Sequence, residues 1–328
     1  MKFSIPSSGR CNVSLKVDNL TVYYQTLRGS VQALEQASFE VANGEIMGLA
    51  GESGCGKTTL STSLIMLTPP MKHIGGSVLL DDELLPIADE KKMVDYRFKK
   101  VSIIPQYAMN AMNPTRKIGK MIEELLRSRK IDYKSREEEL LRRIKMVKLP
   151  QDVLDLYPIE LSGGMKQRMV MVLSTLLDPS LLIADEVTSA LDVSSQKAVS
   201  ELLVEFRDQQ IVKSIMVITH DISILYQIAD TIMVMYAGQL AEKAPTKTII
   251  HVPRHPYTKM LISSLPKVGV KFEEHRLEGI PGKPPLLLNP PEGCRFKARC
   301  PLAFEKCREA PPFVEIEPGH FVACWKEC

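Results

Sequence analysis

The chain contains no run of about 20 apolar residues, the length a helix needs to cross a bilayer. Its longest apolar stretches, Met169–Leu177 and Leu181–Ala184, are short and are separated by Asp178 and Pro179. The opening residues MKFSIPSSGR lack the apolar core of a signal peptide. The expectation is a chain that stays in the cytosol and acts at a membrane only through a partner. A large excess of charge of one sign is missing too. A net charge of +3 over 328 residues gives no mandate for a nucleic-acid partner, whose binders usually carry a concentrated basic face, and none is expected. No long heptad stretch is present, which argues against a coiled-coil arm. Cysteine is nearly missing before residue 294: only Cys11 and Cys55 occur there.

What remains is globular. Hydrophobic residues make up 45% and charged residues 25%, enough for a sizeable core. Leu15–Tyr24 and Ser38–Val41 alternate like strands, and Asn43-Gly44 reads as a turn. Ile46–Ala50, Ser77–Leu80, Val101–Ile104, Leu181–Ala184 and Ile215–Thr219 are further strand segments. Thr58–Leu67 reads as a helix ended by Pro69-Pro70, and Val199–Phe206 as another. Ile118–Arg129 and Ser135–Val147 are charged and helical by period, with Ser135 and Glu138 spaced as a capping box. Alternating strands and helices imply an α/β fold with a mostly parallel sheet. Beyond about residue 250 prolines break up regular structure. The expectation is an irregular extension over 251–328 with little core of its own.

Gly51-Glu52-Ser53-Gly54-Cys55-Gly56-Lys57-Thr58 fits the phosphate-loop pattern G-x-x-x-x-G-K-[ST] between a strand and a helix. Glycines let backbone N–H groups approach phosphate oxygens, and the helix start adds its positive dipole end. Lys57 is expected to reach the β- and γ-phosphates and Thr58 to ligate Mg²⁺, with Thr59 beside it in the nucleotide-binding set. The competing reading is a chance glycine turn before a helix. Leu181–Glu186 is an apolar strand ending in two carboxylates. Beside a phosphate loop, Asp185 can face Mg²⁺ through water, and Glu186 can align or deprotonate the attacking water. Alone, such a strand end is an ordinary acidic edge at solvent. Leu161-Ser162-Gly163-Gly164-Met165-Lys166-Gln167-Arg168 places Ser and two glycines before a further helix. It reads either as a second anion-binding helix start or simply as a helix capped by Ser162.

At these residues the chain resembles the ABC ATPase family, whose signature is LSGGQ; here Met165 stands in place of the glutamine. The resemblance covers residues 13 to about 245. It implies a P-loop NTPase core with an antiparallel β subdomain and a helical subdomain at about 107–165, within a nucleotide-binding domain over 1–250. It assigns Gln106 to the glutamine loop, at the γ-phosphate and Mg²⁺, and Ser189-Ala190-Leu191-Asp192 to the D-loop. It makes His220 the switch histidine and Tyr24 the adenine-stacking aromatic. It also implies a dimer, with ATP between the phosphate loop of one subunit and the Ser162-Gly163-Gly164 turn of another.

The tail motifs His255-Pro256-Tyr257-Thr258, Gly279-Ile280-Pro281-Gly282 and Asn289–Phe296 resemble the oligopeptide/dipeptide importer ATPases. That group implies a second, different ATPase subunit, two transmembrane permease subunits and an extracytoplasmic solute-binding protein. It places the chain peripherally on the cytoplasmic face of the membrane. Relatives in the group carry oligosaccharides or nickel, and a non-transport ABC ATPase is a more distant alternative. In the same group the cysteine-rich tail can bind a 4Fe–4S cluster. The spacing Cys294-x5-Cys300-x6-Cys307-x16-Cys324 supplies four thiolates without the paired C-x2-C of common zinc sites. Zinc and free thiols stay open as alternatives. Cys328 is a spare, and Cys55 reads as a small filler in the loop.

Overall fold

The computed structural model of the chain describes residues 13–106, 111–189, 191–264 and 279–328. Cys11 and Ala190 lie outside them. The alternating opening segments form a long antiparallel hairpin, β1 (Val13–Thr26) and β2 (Gly29–Ala42). Leu15, Val17, Leu20 and Val22 are its buried face. The two-residue phase slips once, between Val17 and Leu20, where the pairing register also shifts. The chain then enters β3 (Ile46–Ala50) and α1 (Lys57–Ser63). This helix ends at Ser63, earlier than the expected Leu67. β4 (Met71–Leu80) returns antiparallel to β1, and β5 (Glu83–Leu84) closes a four-stranded sheet in the order β2-β1-β4-β5. α2 (Glu90–Tyr96), capped by Asp89, leads to β6 (Val101–Ile104).

A helical block follows, with α3 (Ile118–Ser128), α4 (Lys134–Met146) and α5 (Gly163–Thr175). In α3 the buried residues Ile118, Ile122 and Leu126 recur every four positions, the stripe of an amphipathic helix. The capping box expected at Ser135 does not form. The helix already starts at Lys134, so Ser135 sits inside its first turn, where its hydroxyl donates to the Asp132 carbonyl. The remaining elements are β7 (Leu181–Asp185), α6 (Val193–Asp208), β8 (Ser214–Ile218), α7 (Ile222–Ile228), β9 (Thr231–Tyr236), β10 (Gln239–Pro245), α8 (Thr246–His251), α9 (Pro256–Ser263), β11 (Val314–Glu317) and β12 (His320–Val322).

The main sheet has the order β11-β12-β10-β9-β3-β8-β7-β6. Its strands from β9 to β6 run parallel and are covered on both faces. Ile46, Leu182, Ala184 and Val217 point into the helix-side core. Met47, Leu49, Leu181 and Ile183 point toward the antiparallel sheet. Double burial is why these segments are solid apolar runs and not alternating ones.

The tail differs from the expectation of an irregular extension. β12 pairs with β10 and β11 with β12, which adds two strands to the main sheet. Tyr257 and Phe296 are buried in the helix-side core. Glu242 on β10 is fully buried and anchors this junction, accepting from the Arg254 and His255 backbone N–H groups and pairing with His320 Nε2 at 2.7 Å. A buried carboxylate is tolerated only when so satisfied. Among the described residues no helix is long and apolar enough to cross a membrane.

Candidate nucleotide site

Four loops meet at one edge of the main sheet. Strands β3, β8, β7 and β6 are neighbours and parallel, so their C-terminal ends share that edge. The loop 51–58 follows β3, His220 follows β8, Glu186 follows β7 and Gln106 follows β6. Such an edge is where open α/β sheets bind ligands.

The loop needs its glycines for space as well as for turning. Gly51 and Gly56 have φ of 149° and 108°; a Cβ would lie 2.3 Å from the Met235 carbonyl oxygen at the first and 2.4 Å from that of Ala33 at the second. Lys57 is buried, and its ammonium donates to the Gly51 carbonyl at 2.8 Å and the Glu52 carbonyl at 3.0 Å. Cys55 is buried behind the loop. Burial pushes its thiol up against the opposing pull of Lys57, which suits a filler and not a redox switch. Ser53, Gly54 and Thr58 are exposed, whereas Thr59 is buried with its hydroxyl 3.2 Å from that of Tyr24. Tyr24 is half-buried near the end of β1.

Glu186 is the meeting point. Gln106 Nε2 donates to its carboxylate at 2.8 Å, Ser189 Oγ at 3.1 Å, and His220 Nδ1 lies 3.5 Å away. Its backbone has φ of 47°, in the left-handed region that non-glycine residues enter sparingly. This turns the carboxylate off the strand end toward the three partners. Asp185, one residue earlier, stays buried at the strand end and accepts from Ser61 Oγ at 3.3 Å. Burial raises its carboxyl above the usual range. Asp192 caps α6 through the Ser194 and Ser195 N–H groups.

Ser162 caps α5, accepting from the Met165 N–H at 3.3 Å. Ser162 and Gly163 are exposed. Gln167 and Arg168 turn inward: Gln167 Nε2 donates to the Val187 carbonyl, and Arg168 to the carbonyls of Gly164, Val147 and Lys148. The signature helix is thus tied to the turn that carries Glu186.

Cys294, Cys300, Cys307 and Cys324 line one cavity together with His255, Phe296, Pro311 and Trp325. Cys328 is exposed and outside it. Burial, and then the neighbouring thiols, push Cys294 up to about 11; burial raises Cys300 and Cys324 as well. Among the described residues no three His, Cys, Asp or Glu side chains close together as the ligands of a single ion.

Sequence reasoning missed the support behind the loop. Arg299 grips the Glu52 carboxylate with both terminal nitrogens, and the Tyr257 hydroxyl accepts from the Glu52 N–H at 2.9 Å. Tyr257 lies in a tail motif that carried a resemblance but no assigned role, and Arg299 lies just beyond the last of those motifs, next to Cys300.

Residues 34–189 match the family model described as ABC transporter, and 241–307 match one described as oligopeptide/dipeptide transporter, C-terminal region. The dipeptide transport ATP-binding protein DppD of Bacillus subtilis is 40% identical over 95% of this chain and 94% of its own. The oligopeptide transport ATP-binding protein OppD of Salmonella typhimurium is 36% identical over 96% and 94%. The fold is similar to the dimeric ATP-binding cassette MJ0796 bound to ADP and Pi. The TM-score is 0.62 at 23% identity, over 71% of this chain and 98% of that one. With the phosphate loop, the acidic strand end and the serine-capped signature helix in place, the chain belongs to the ABC transporter ATPase family, among the dipeptide and oligopeptide transport ATP-binding proteins.

Proposed function

We propose that this ABC transporter ATPase hydrolyses ATP in a two-subunit site to drive uptake of dipeptides or oligopeptides through partner membrane subunits. The convergence of Gln106, Ser189 and His220 on Glu186, at the sheet edge that also bears the loop 51–58, carries the reading. In this reading Lys57 leaves the Gly51 and Glu52 carbonyls for the β- and γ-phosphates, while the N–H groups of the loop take the remaining oxygens. Tyr24 stacks on adenine. Glu186 aligns the attacking water and takes its proton, and His220 steadies the γ-phosphate end. The residues fit Mg²⁺: Asp185 is a buried carboxyl whose hydrogen-bond donor is one hydroxyl, and Thr58 stands exposed at the helix start. Thr58 and Gln106 would hold the ion directly and Asp185 through water, and it would neutralise charge between the β- and γ-oxygens.

A Cβ at Gly164 would meet nothing within 4 Å, so this chain alone does not demand glycine there. In this reading a nucleotide held on another subunit takes up that space, in a pair of ATPase subunits, each covering the other's loop with its Ser-Gly-Gly turn. The pair is a heterodimer in this proposal, docked with two permease subunits on the cytoplasmic face of the membrane and served by an extracytoplasmic binding protein. We assign residues 1–250 to the nucleotide-binding domain, with its helical subdomain at about 107–165, and 251–328 to the extension.

We also propose that Cys294, Cys300, Cys307 and Cys324 hold a 4Fe–4S cluster. Four thiols around one cavity walled by Phe296, Pro311 and Trp325 support it. The four lack the paired C-x2-C of common zinc sites. The cluster's role is a staple for a Pro-rich segment that has little core of its own.

Vesicles containing this chain with its permease subunits and second ATPase test the transport reading. ATP-dependent uptake of a dipeptide or oligopeptide, lost with Glu186→Gln, is expected. Uptake of an oligosaccharide or nickel without peptide uptake would overturn the substrate.

A further inference from the structure

Glu52 places an acid inside a loop built to cradle phosphate. Its carboxylate is held by Arg299, with Nη1 at 2.7 Å from Oε2 and Nη2 at 3.0 Å from Oε1, a two-pronged pair joining residues 247 positions apart. Arg299 is itself fixed. Its side chain is 5% exposed. Nε donates to the Pro281 carbonyl at 2.8 Å, Nη2 to the Ile280 carbonyl at 3.1 Å and Nη1 to the Tyr236 hydroxyl at 3.2 Å. The guanidinium also lies against the rings of Tyr236 and Phe296. An arginine with so many fixed partners is a rigid clamp and not a flexible surface charge.

The clamp bears on the loop's main chain. The Glu52 N–H is tied to the buried Tyr257 hydroxyl, and the Glu52 carbonyl is one of the two oxygens that hold Lys57. Tyr257, Tyr236 and Phe296 pack on one another with ring centres 4.6–5.4 Å apart, so both ends of Glu52 rest on one aromatic block. Arg295, four residues before Arg299, donates to the Ala237 carbonyl, next to Gly238, whose N–H holds the Cys55 carbonyl at 2.7 Å. The tail therefore contacts the loop or its immediate support at two places.

We propose that Arg299 is a positioning residue for ATP binding: it acts through Glu52, fixing the first half of the phosphate loop and neutralising the acid beside it. The inference rests on the ATPase reading above. It makes the tail a working part of the nucleotide site, with the entry to the loop set by a residue outside the nucleotide-binding motifs. The fork geometry matters as well as the charge, because lysine offers a single point of contact where arginine offers two.

The test uses the full chain: binding of a fluorescent ATP analogue and thermal unfolding are measured on the free subunit, and steady-state hydrolysis on the chain assembled with its second ATPase and permease subunits. Arg299→Met is expected to weaken analogue binding and raise the KM for ATP about tenfold, mid-range for coupling within a hydrogen-bonded network, with kcat changed far less. Arg299→Lys is expected to restore only part of the loss. In a Glu52→Ala background, Arg299→Met should cost little more, because the partner it acts through is gone. A lower melting temperature with unchanged KM and analogue affinity would overturn the proposal. So would an equal loss of affinity in both backgrounds. If Arg299→Met does not fold, Arg299→Lys decides: affinity equal to that of the unaltered chain overturns the proposal, and a several-fold loss supports it. Absence of any hydrolysis by the assembled transporter with the unaltered chain, with analogue binding intact, would strike the ATPase reading instead.

Discussion

The side-chain amide of Gln106 donates to the Glu186 carboxylate at 2.8 Å across a sequence separation of 80 residues. Gln106 follows β6 and Glu186 follows β7, so this bond joins the C-terminal ends of two neighbouring parallel strands.

Glu186→Gln is expected to keep ATP binding and to lower phosphate release about 10²- to 10⁴-fold, the usual contribution of a positioned general base. Phosphate release and nucleotide retention by the assembled transporter measure this. Hydrolysis within about twofold of the unaltered protein, far short of that loss, would remove Glu186 from its role.

Lys57→Ala and Ser162→Ala should fail at different stages. Lys57→Ala removes a cation from the loop and weakens ATP binding by the free subunit. Ser162→Ala leaves that binding intact, costs about 1 kcal/mol of stability as a lost helix cap, and lowers hydrolysis only in the paired state. Titrating a fluorescent nucleotide into the free subunit separates them. Equal loss in both variants would contradict a site shared between subunits.

Asp185→Asn should stabilise the free chain. Burial raises the Asp185 carboxyl, so its ionised form is disfavoured in the fold. The sign follows: this carboxyl favours the fold below its unfolded value, and that contribution is lost as pH rises through the higher folded value. At neutral pH its removal is expected to raise the melting temperature while depressing Mg²⁺-dependent hydrolysis, a trade common at functional sites. Melting curves without nucleotide, set beside activity, check both parts. A lower melting temperature would show that the Ser61 hydrogen bond outweighs the burial cost.

Anaerobic purification followed by iron and sulfide analysis addresses the tail. About four irons and four sulfides per chain are expected. Ser substitution at Cys294, Cys300, Cys307 or Cys324 should lower both counts, and Cys328→Ser should not. One zinc without sulfide would replace the cluster with a zinc site.

The elements that were legible in the sequence are those whose chemistry is local. The loop 51–58 needs glycines, lysine and threonine at fixed spacing because consecutive backbone groups surround one phosphate chain. Ile46–Ala50 and Leu181–Ala184 are solid apolar runs because both sheet faces are covered, and burial on two sides leaves a continuous trace in the chain. Ser162 could be placed as a cap because capping joins residues three apart. The capping box read at Ser135 failed although the side-chain spacing was right, because the helix starts at Lys134 and leaves the serine inside its first turn. Only the tertiary structure decided the rest. Strand order brought Gln106, Glu186 and His220 to one sheet edge, and no local pattern encodes strand order. The Pro-rich tail looked irregular because its strands are short and find their partner in β10, and because Tyr257 and Phe296 use a core built by distant residues. The grip of Arg299 on Glu52 depends on that docking, since a hydrogen bond between residues 247 positions apart leaves no periodicity to read.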